Sequence, residues 1–201
     1  MGQHKRVAHA GKISGVNDIA LAKAQLRSKI LASRVRRESS NQAFTANLLE
    51  LVSQLDAQSV ATYLSFGTEP ATTDFIDSLL DDGIEVLVPK VLPDETLAWF
   101  KWDGVSEITS NLGMKEPDEN KLLAVSVEQA ELLLIPALAV DRMGNRLGRG
   151  KGYFDRELSV LSGSKVYAVC FEDEFLETLP SEAHDQRVSG VVTEVAIHDL
   201  N

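Results

Sequence analysis

The spacing of apolar positions changes character along the chain, and each change predicts an element. From Asp18 onward, Ile19, Leu21, Ala22, Leu26, Ile30, Leu31 and Val35 recur at helical spacing, with Asn17-Asp18 offering an N-cap. Phe44, Leu48, Leu49, Leu51, Val52 and Leu55 give a second helix over residues 42–55. The period then shortens. Residues 59–66 (SVATYLSF) read as a buried strand, Thr72 or Thr73 caps a helix running to Asp81, and Gly83 stops it. Residues 84–88 and 96–102 are further strands, 104–121 is loop-like with the breakers Gly104, Gly113 and Pro117, and 132–135, 166–171 and 191–197 bring the count to about six strands. Helices alternating with short apolar strands predict an α/β layer structure on a largely parallel or mixed sheet. In such sheets ligands bind beyond the carboxyl ends of strands. Three segments lie there: Ser65 to Glu69, the stretch after the Leu132 strand, and Asp173 onward.

At 201 residues and 44% hydrophobic content the chain suits one well-buried core, with residues 1–17 expected to be a disordered basic tail and 18–201 a single domain. No apolar run reaches the ~18 residues of a membrane span. The tail also lacks the apolar middle of a secretory signal, so a cytoplasmic protein is expected. The lone Cys170 sits in an apolar run and reads as a buried structural thiol. Charge is distributed unevenly. Residues 1–37 hold nine cations against the single acid Asp18, so the remainder must carry −18 to reach the net −10. A nucleic-acid binder would be basic over a whole domain face, and nucleic acid is therefore not expected as a partner.

One stretch breaks the acidic pattern. Asp141 to Arg156 packs four glycines and five cations (Arg142, Arg146, Arg149, Lys151 and Arg156) into sixteen residues. Like charges this dense need a counter-charge. Glycines let backbone N–H groups approach a ligand closely, and a helix starting behind them turns its positive end the same way. The reading is a polyphosphate cradle, against the blander reading of a surface hairpin turning at Met143-Gly144-Asn145. Gly148-x-Gly150-x-Gly152 matches neither the dinucleotide fingerprint nor the P-loop, which would need Ser or Thr after Lys151. Asp155 and the His184-Asp185 pair are the metal candidates, because Mg²⁺ takes one or two carboxylates plus phosphate oxygens. Zinc is disfavoured, since His4 and His9 fall in the tail and leave only His184 and His198. Lys23 and Arg27 share a helix face, and Tyr63, Phe66, Trp99, Trp102 and Tyr153 are the aromatics able to stack on a flat ring, most of them expected in the core.

Taken together these residues resemble the 5-formyltetrahydrofolate cyclo-ligase family, also called 5,10-methenyltetrahydrofolate synthetases. The resemblance is carried by Pro136-Ala137-Leu138-Ala139-Val140-Asp141 running on through Arg146-Leu147-Gly148-x-Gly150-x-Gly152-Tyr153-Phe154-Asp155-Arg156. Lys23-x-x-Leu26-Arg27, Tyr63-Leu64-Ser65 with Glu69, Val88-Pro89, Gly113 with Glu116-Pro117, and His184-Asp185 follow in the same order. The chain departs from the family pattern at Ala137, Val140 and Phe154, and the last lacks a hydroxyl that many relatives have.

The resemblance implies a three-layer α/β/α ligase that uses ATP and Mg²⁺ to cyclise 5-formyltetrahydrofolate to 5,10-methenyltetrahydrofolate, releasing ADP and phosphate; a monomer is expected, although the sequence does not fix the oligomeric state. It implies that Lys23 and Arg27 reach over the nucleotide phosphates and that Arg146, Leu147, Gly148, Arg149, Gly150, Lys151, Gly152 and Tyr153 form the ATP loop. Leu64 and Glu69 would line the folate side together with Arg149 to Tyr153, and Asp155 with Asp185 would hold Mg²⁺. Phosphorylating the formyl oxygen would make the carbon electrophilic and the oxygen a leaving group, work for cations and backbone donors rather than for a nucleophile. Lys151 is the expected γ-phosphate contact, with Arg146 and Arg149 as partners. Two other readings compete: a non-catalytic nucleotide- or folate-binding module, and a sugar-phosphate isomerase or acyl-CoA transferase of similar layered fold.

Overall fold

The computed structural model describes residues 16–37, 41–110, 113–158, 161, 165–182 and 185–200. Most of the tail and His184 therefore lie outside the described residues. Four α-helices are present: α1 (Val16–Arg34), α2 (Asn41–Leu55), α3 (Thr73–Asp81) and the short α4 (Tyr153–Leu158). The strands in chain order are β1 (Ser59–Ala61), β2 (Glu85–Val91), β3 (Leu97–Lys101), β4 (Glu107–Thr109), β5 (Lys115–Pro117), β6 (Ala124–Val125), β7 (Leu132–Pro136), β8 (Ala139–Asp141), β9 (Arg146–Leu147), β10 (Lys165–Val169), β11 (Phe175–Leu176), β12 (Gly190–Val192) and β13 (Ile197–Asp199).

Eight of these form one sheet in the order β13-β12-β10-β7-β1-β2-β3-β6. The five central strands are mutually parallel, while β13, β3 and β6 pair antiparallel at the two edges. The expected count of about six strands is thus too low for this sheet alone, because two- and three-residue strands are too short to show a period. Residues 191–197 illustrate the error, forming not one strand but the end of β12, a turn and the first residue of β13. The supposed loop over 104–121 holds a hairpin of its own, β4 against β5.

Strand alternation builds two cores. Val60, Val86, Val88, Leu132, Leu134, Tyr167, Val169 and Val192 face one way and pack against Phe44, Leu48, Leu51, Phe75, Ile76 and Leu79 of α2 and α3. Their chain neighbours Ala61, Leu87, Leu133, Ile135, Val166, Ala168 and Val191 face the other way, toward Leu158 and Phe154 of α4. Period-two placement of apolar residues on both faces makes this a sheet covered on each side, hence three layers with a thin second helical one. Cys170 is fully buried in that second core, and burial pushes its thiol pKa up, so it is structural as expected.

The first strand stops earlier than its sequence suggests. Beyond Thr62, whose amide still donates to the Leu87 carbonyl, the backbone leaves the ladder, and side chains replace strand pairing: the Thr72 hydroxyl donates to the Tyr63 carbonyl at 2.7 Å, and the Tyr63 hydroxyl donates to the Pro70 carbonyl at 2.9 Å. These bonds fold residues 64–70 back over the strand ends, which is how Glu69 reaches the site.

Helix α1 also differs from expectation. It is already helical at Val16, so Asn17-Asp18 lies inside it rather than capping it. Leu21 and Val35, assigned to its apolar face, are exposed. The face it turns inward carries Lys23, Arg27, Ile30 and Arg34, spaced four, three and four apart in one stripe. Only Leu26, Ile30 and Leu31 contribute apolar contact, against Leu138, Ala139, Leu147, Leu176 and Leu179 around the small sheet β11-β8-β9. The helix is otherwise attached by its cations.

Candidate functional site

The inward stripe of α1, the β8–β9 hairpin and the start of α4 enclose a cavity of about 480 Å³ beyond the carboxyl end of β7. That volume falls in the range of small-molecule and cofactor sites. Lys23, Arg27, Glu69, Arg146, Leu147, Gly148, Arg149, Gly150, Lys151, Gly152, Tyr153, Asp155 and Asp185 all line it. The structure therefore brings together every residue that the resemblance implies at the site except Leu64, which packs against the core under α2 and α3. Residues 142–145 make the expected hairpin turn, and the chain behind it lines the cavity.

Two of the five cations in the glycine-rich stretch turn away. Arg142 lies over the Phe175 ring and pairs with Glu177, and Arg156 donates to the Glu95 carbonyl with its guanidinium over Tyr153. The glycines answer to geometry. Gly150 (φ +100°) and Gly152 (φ +71°) sit in left-handed backbone that a side chain would strain, and a Cβ on Gly150 would stand 3.5 Å from the Arg27 guanidinium. Of the five candidate stacking aromatics, Tyr153 lines the cavity, while Tyr63, Trp99 and Trp102 are buried and Phe66 is exposed.

The cavity cations are held to different degrees. Lys23, 9% exposed, places its ammonium 2.7 Å from Asp185 and 2.9 Å from Glu182. Burial by itself would lower its pKa, but hydrogen bonds to those two carboxylates outweigh burial and hold it above the ordinary value. Arg27 Nε donates to the Gly148 carbonyl at 2.9 Å, tying α1 to the loop. Arg146, 5% exposed, donates to Asp155 and to the Gln186 carbonyl; burial lowers its pKa against the opposing pull of Asp155 and Asp185. Arg149 meets Glu69 at 3.1 Å, and Glu69 also accepts from the Phe66 amide at 3.0 Å. Lys151 is 67% exposed and only 4.0 Å from Glu95, so it is the loosest charge on the rim.

Several residues here escape sequence reading. Arg34 lies at the cavity's inner wall, where it binds both carboxylate oxygens of Glu174 (2.8 and 2.6 Å) and the Ala137 carbonyl at 2.6 Å. Glu174 belongs to the turn after β10, the third segment flagged beyond a strand end. Glu182 is the other omission. The available signal was the spacing of Arg34 from Lys23 and Arg27, which continues their stripe; nothing in the sequence singles out Glu174 or Glu182 from thirty acids.

Asp155 and Asp185 supply hard oxygen donors at one end of the cavity. Among the described residues no three His, Cys, Asp or Glu side chains converge as a metal cage. Such a donor set fits a cation that draws its remaining ligands from phosphate oxygens, as Mg²⁺ does. The chemistry available is therefore anion binding and charge neutralisation. Among the described residues no helix is long and apolar enough to cross a membrane.

Comparison with known proteins agrees with this geometry. The profile of the "5-formyltetrahydrofolate cyclo-ligase family" matches residues 20–194. A 5-formyltetrahydrofolate cyclo-ligase of Mycolicibacterium smegmatis is 34% identical over 183 residues, covering 86% of this chain and 93% of that one. Its counterpart from Haemophilus influenzae is 28% identical over 171 residues, covering 80% and 91%. The NMR structure of Aquifex aeolicus 5,10-methenyltetrahydrofolate synthetase superposes with a TM-score of 0.78 at 27% identity, over 89% of this chain and 93% of that one. The cradle on the β8–β9 hairpin, the cationic stripe that faces it and the profile spanning both lead to one conclusion: this chain is a ligase that belongs to the 5-formyltetrahydrofolate cyclo-ligase family.

Proposed function

We propose that this enzyme closes 5-formyltetrahydrofolate to 5,10-methenyltetrahydrofolate at the expense of ATP, with Mg²⁺, releasing ADP and phosphate. The observation that carries this reading is the charge around the cavity at the glycine-rich loop: six cations face four carboxylates, and glycine amides and Tyr153 complete the wall. A net positive lining suits a triphosphate partly neutralised by metal better than an uncharged ligand. Relatives named for the same reaction support the choice of substrate.

In this reading the formyl oxygen takes the γ-phosphoryl group, N10 adds to the activated carbon and loses its proton, and phosphate leaves with the oxygen. Lys151 and Arg149, on the loosely held rim, neutralise charge on the transferring oxygens once the nucleotide draws them in. Arg146 and Arg27 are fixed, and they set the position of the loop. Glu69 accepts from a pterin N–H once Arg149 has swung to phosphate. Mg²⁺, when bound, would supply Lewis-acid neutralisation, with Asp155 and Asp185 as the residues to hold it. Tyr153, half-buried at the start of α4, offers its ring face to the folate.

Purified protein mixed with 5-formyltetrahydrofolate should develop methenyl absorbance only when ATP and Mg²⁺ are both present. Absorbance growth without ATP, or none with it, would sink the assignment. An isomerase, a transferase or a purely binding module predicts no ATP-dependent signal.

A further inference from the structure

The Lys23 ammonium sits between two carboxylates that lie three residues apart in the chain. The Glu182 amide donates to Asp185 Oδ2 at 2.8 Å, and the Asp185 amide donates to the Glu182 carbonyl at 3.1 Å. These bonds fix the two acids relative to each other, against α1. Of the two, Asp185 is the one whose charge also acts on Arg146, placing it among the phosphate-side cations; its side chain is nearly buried, while Glu182 is more open to the cavity. A divalent cation taking Asp185 would have to displace the ammonium from a 2.7 Å contact. An ammonium left without an anion in a nearly buried position would be costly. Glu182, 2.9 Å from the same nitrogen, removes that cost.

We propose that Glu182 is a positioning residue: it retains the Lys23 ammonium when a divalent cation takes over the Asp185 carboxylate, and so makes nucleotide binding depend on metal. The proposal rests on the nucleotide reading of the cavity. With no metal, Glu182 and Asp185 together hold Lys23 away from a triphosphate. With metal, Asp185 changes partner, Lys23 keeps Glu182, and the ammonium remains at the phosphate end of the site. Glu182 acts through Lys23 and is not itself a ligand of the metal.

Calorimetry of the whole protein with ATP, in EDTA and across a Mg²⁺ titration, tests this without any turnover. Glu182→Gln should strengthen metal-free ATP binding about five- to tenfold and raise the Mg²⁺ concentration needed for half-maximal binding by a similar factor. Glu182→Asp, which restores the charge, should return both values toward those of the parent. In a Lys23→Met background the Glu182→Gln effects should vanish, since the residue works through the ammonium. Weakening of metal-free and metal-loaded binding alike would overturn the proposal in favour of a structural role. Persistence of the Mg²⁺ shift in the Lys23→Met background would overturn it in favour of direct ligation. Failure of the parent protein to bind ATP with Mg²⁺ would instead overturn the reading of the cavity, and this proposal with it.

Discussion

Arg34 is the residue whose removal should be most damaging outside the cradle itself. Its side chain is 1% exposed and that of Glu174 is 3% exposed, and the two share a bidentate contact of 2.8 and 2.6 Å. One guanidinium nitrogen also donates to the Ala137 carbonyl at 2.6 Å, and Glu174 accepts from the Phe171 amide at 3.0 Å. The pair therefore joins α1 to the crossover after β7 and to the turn after β10. Burial opposes the Arg34 charge, but its contacts with Glu174 more than compensate and raise its pKa. Arg34→Met would leave the buried Glu174 carboxylate with only the longer 3.9 Å contact to Arg37, a change that costs about 3–5 kcal/mol. For a chain of this length each kcal/mol moves Tm by about 2–4 °C, so a fall of roughly 6–20 °C is expected. The double variant Arg34→Met with Glu174→Leu should recover most of that loss, because an apolar pair of similar volume often matches a buried ion pair. Differential scanning calorimetry on the parent, both single variants and the double variant checks the whole cycle. A single variant that melts within about 2 °C of the parent would refute the claim that this pair anchors α1.

Lys151→Ala should lower kcat/KM about 100-fold, the scale of removing one preorganised donor, in the methenyl absorbance assay, while near-parental turnover would remove Lys151 from the phosphoryl-transfer step. Asp155→Asn should raise the Mg²⁺ concentration needed for half-maximal rate, and an unchanged metal dependence would count against Asp155 as a ligand. Gly190→Ala should destabilise by about 1–3 kcal/mol or more in urea unfolding, since the new Cβ would stand 2.2 Å from the Tyr167 ring and 2.8 Å from the His198 carbonyl. Glu172 accepts from the Thr193 hydroxyl at 2.5 Å and from His198, and the Thr193 bond is the larger cause of its lowered pKa. A depressed carboxylate pKa contributes stability present above the unfolded value and lost as pH falls through the folded one. Thr193→Val should therefore flatten the acid limb of the stability–pH curve, and an unaltered limb would dissociate Glu172 from it.

Length, period and glycine placement in the sequence already determined a great deal: helices α2 and α3, the apolar strands β2, β7 and β10, and a glycine-rich cationic loop around Arg149 and Lys151 that lines the cavity. Those features are local. A helix face or a glycine between cations reads the same whatever lies across from it. The strand count failed because β6, β11 and the two-residue β9 gain their pairing from neighbours rather than from their own pattern. Helix α1 was legible as a helix, but the makeup of its inward face was not. Its sequence places Lys23, Arg27 and Arg34 on one face, and on spacing alone a charged face belongs in water. Only the tertiary structure sets Glu182, Asp185, the Gly148 carbonyl and Glu174 opposite them, from segments more than 100 residues away. Whether a cation is solvated, structural or free to meet a phosphate depends on which anion stands within about 3 Å, and that is fixed by the fold rather than by the neighbours in the chain.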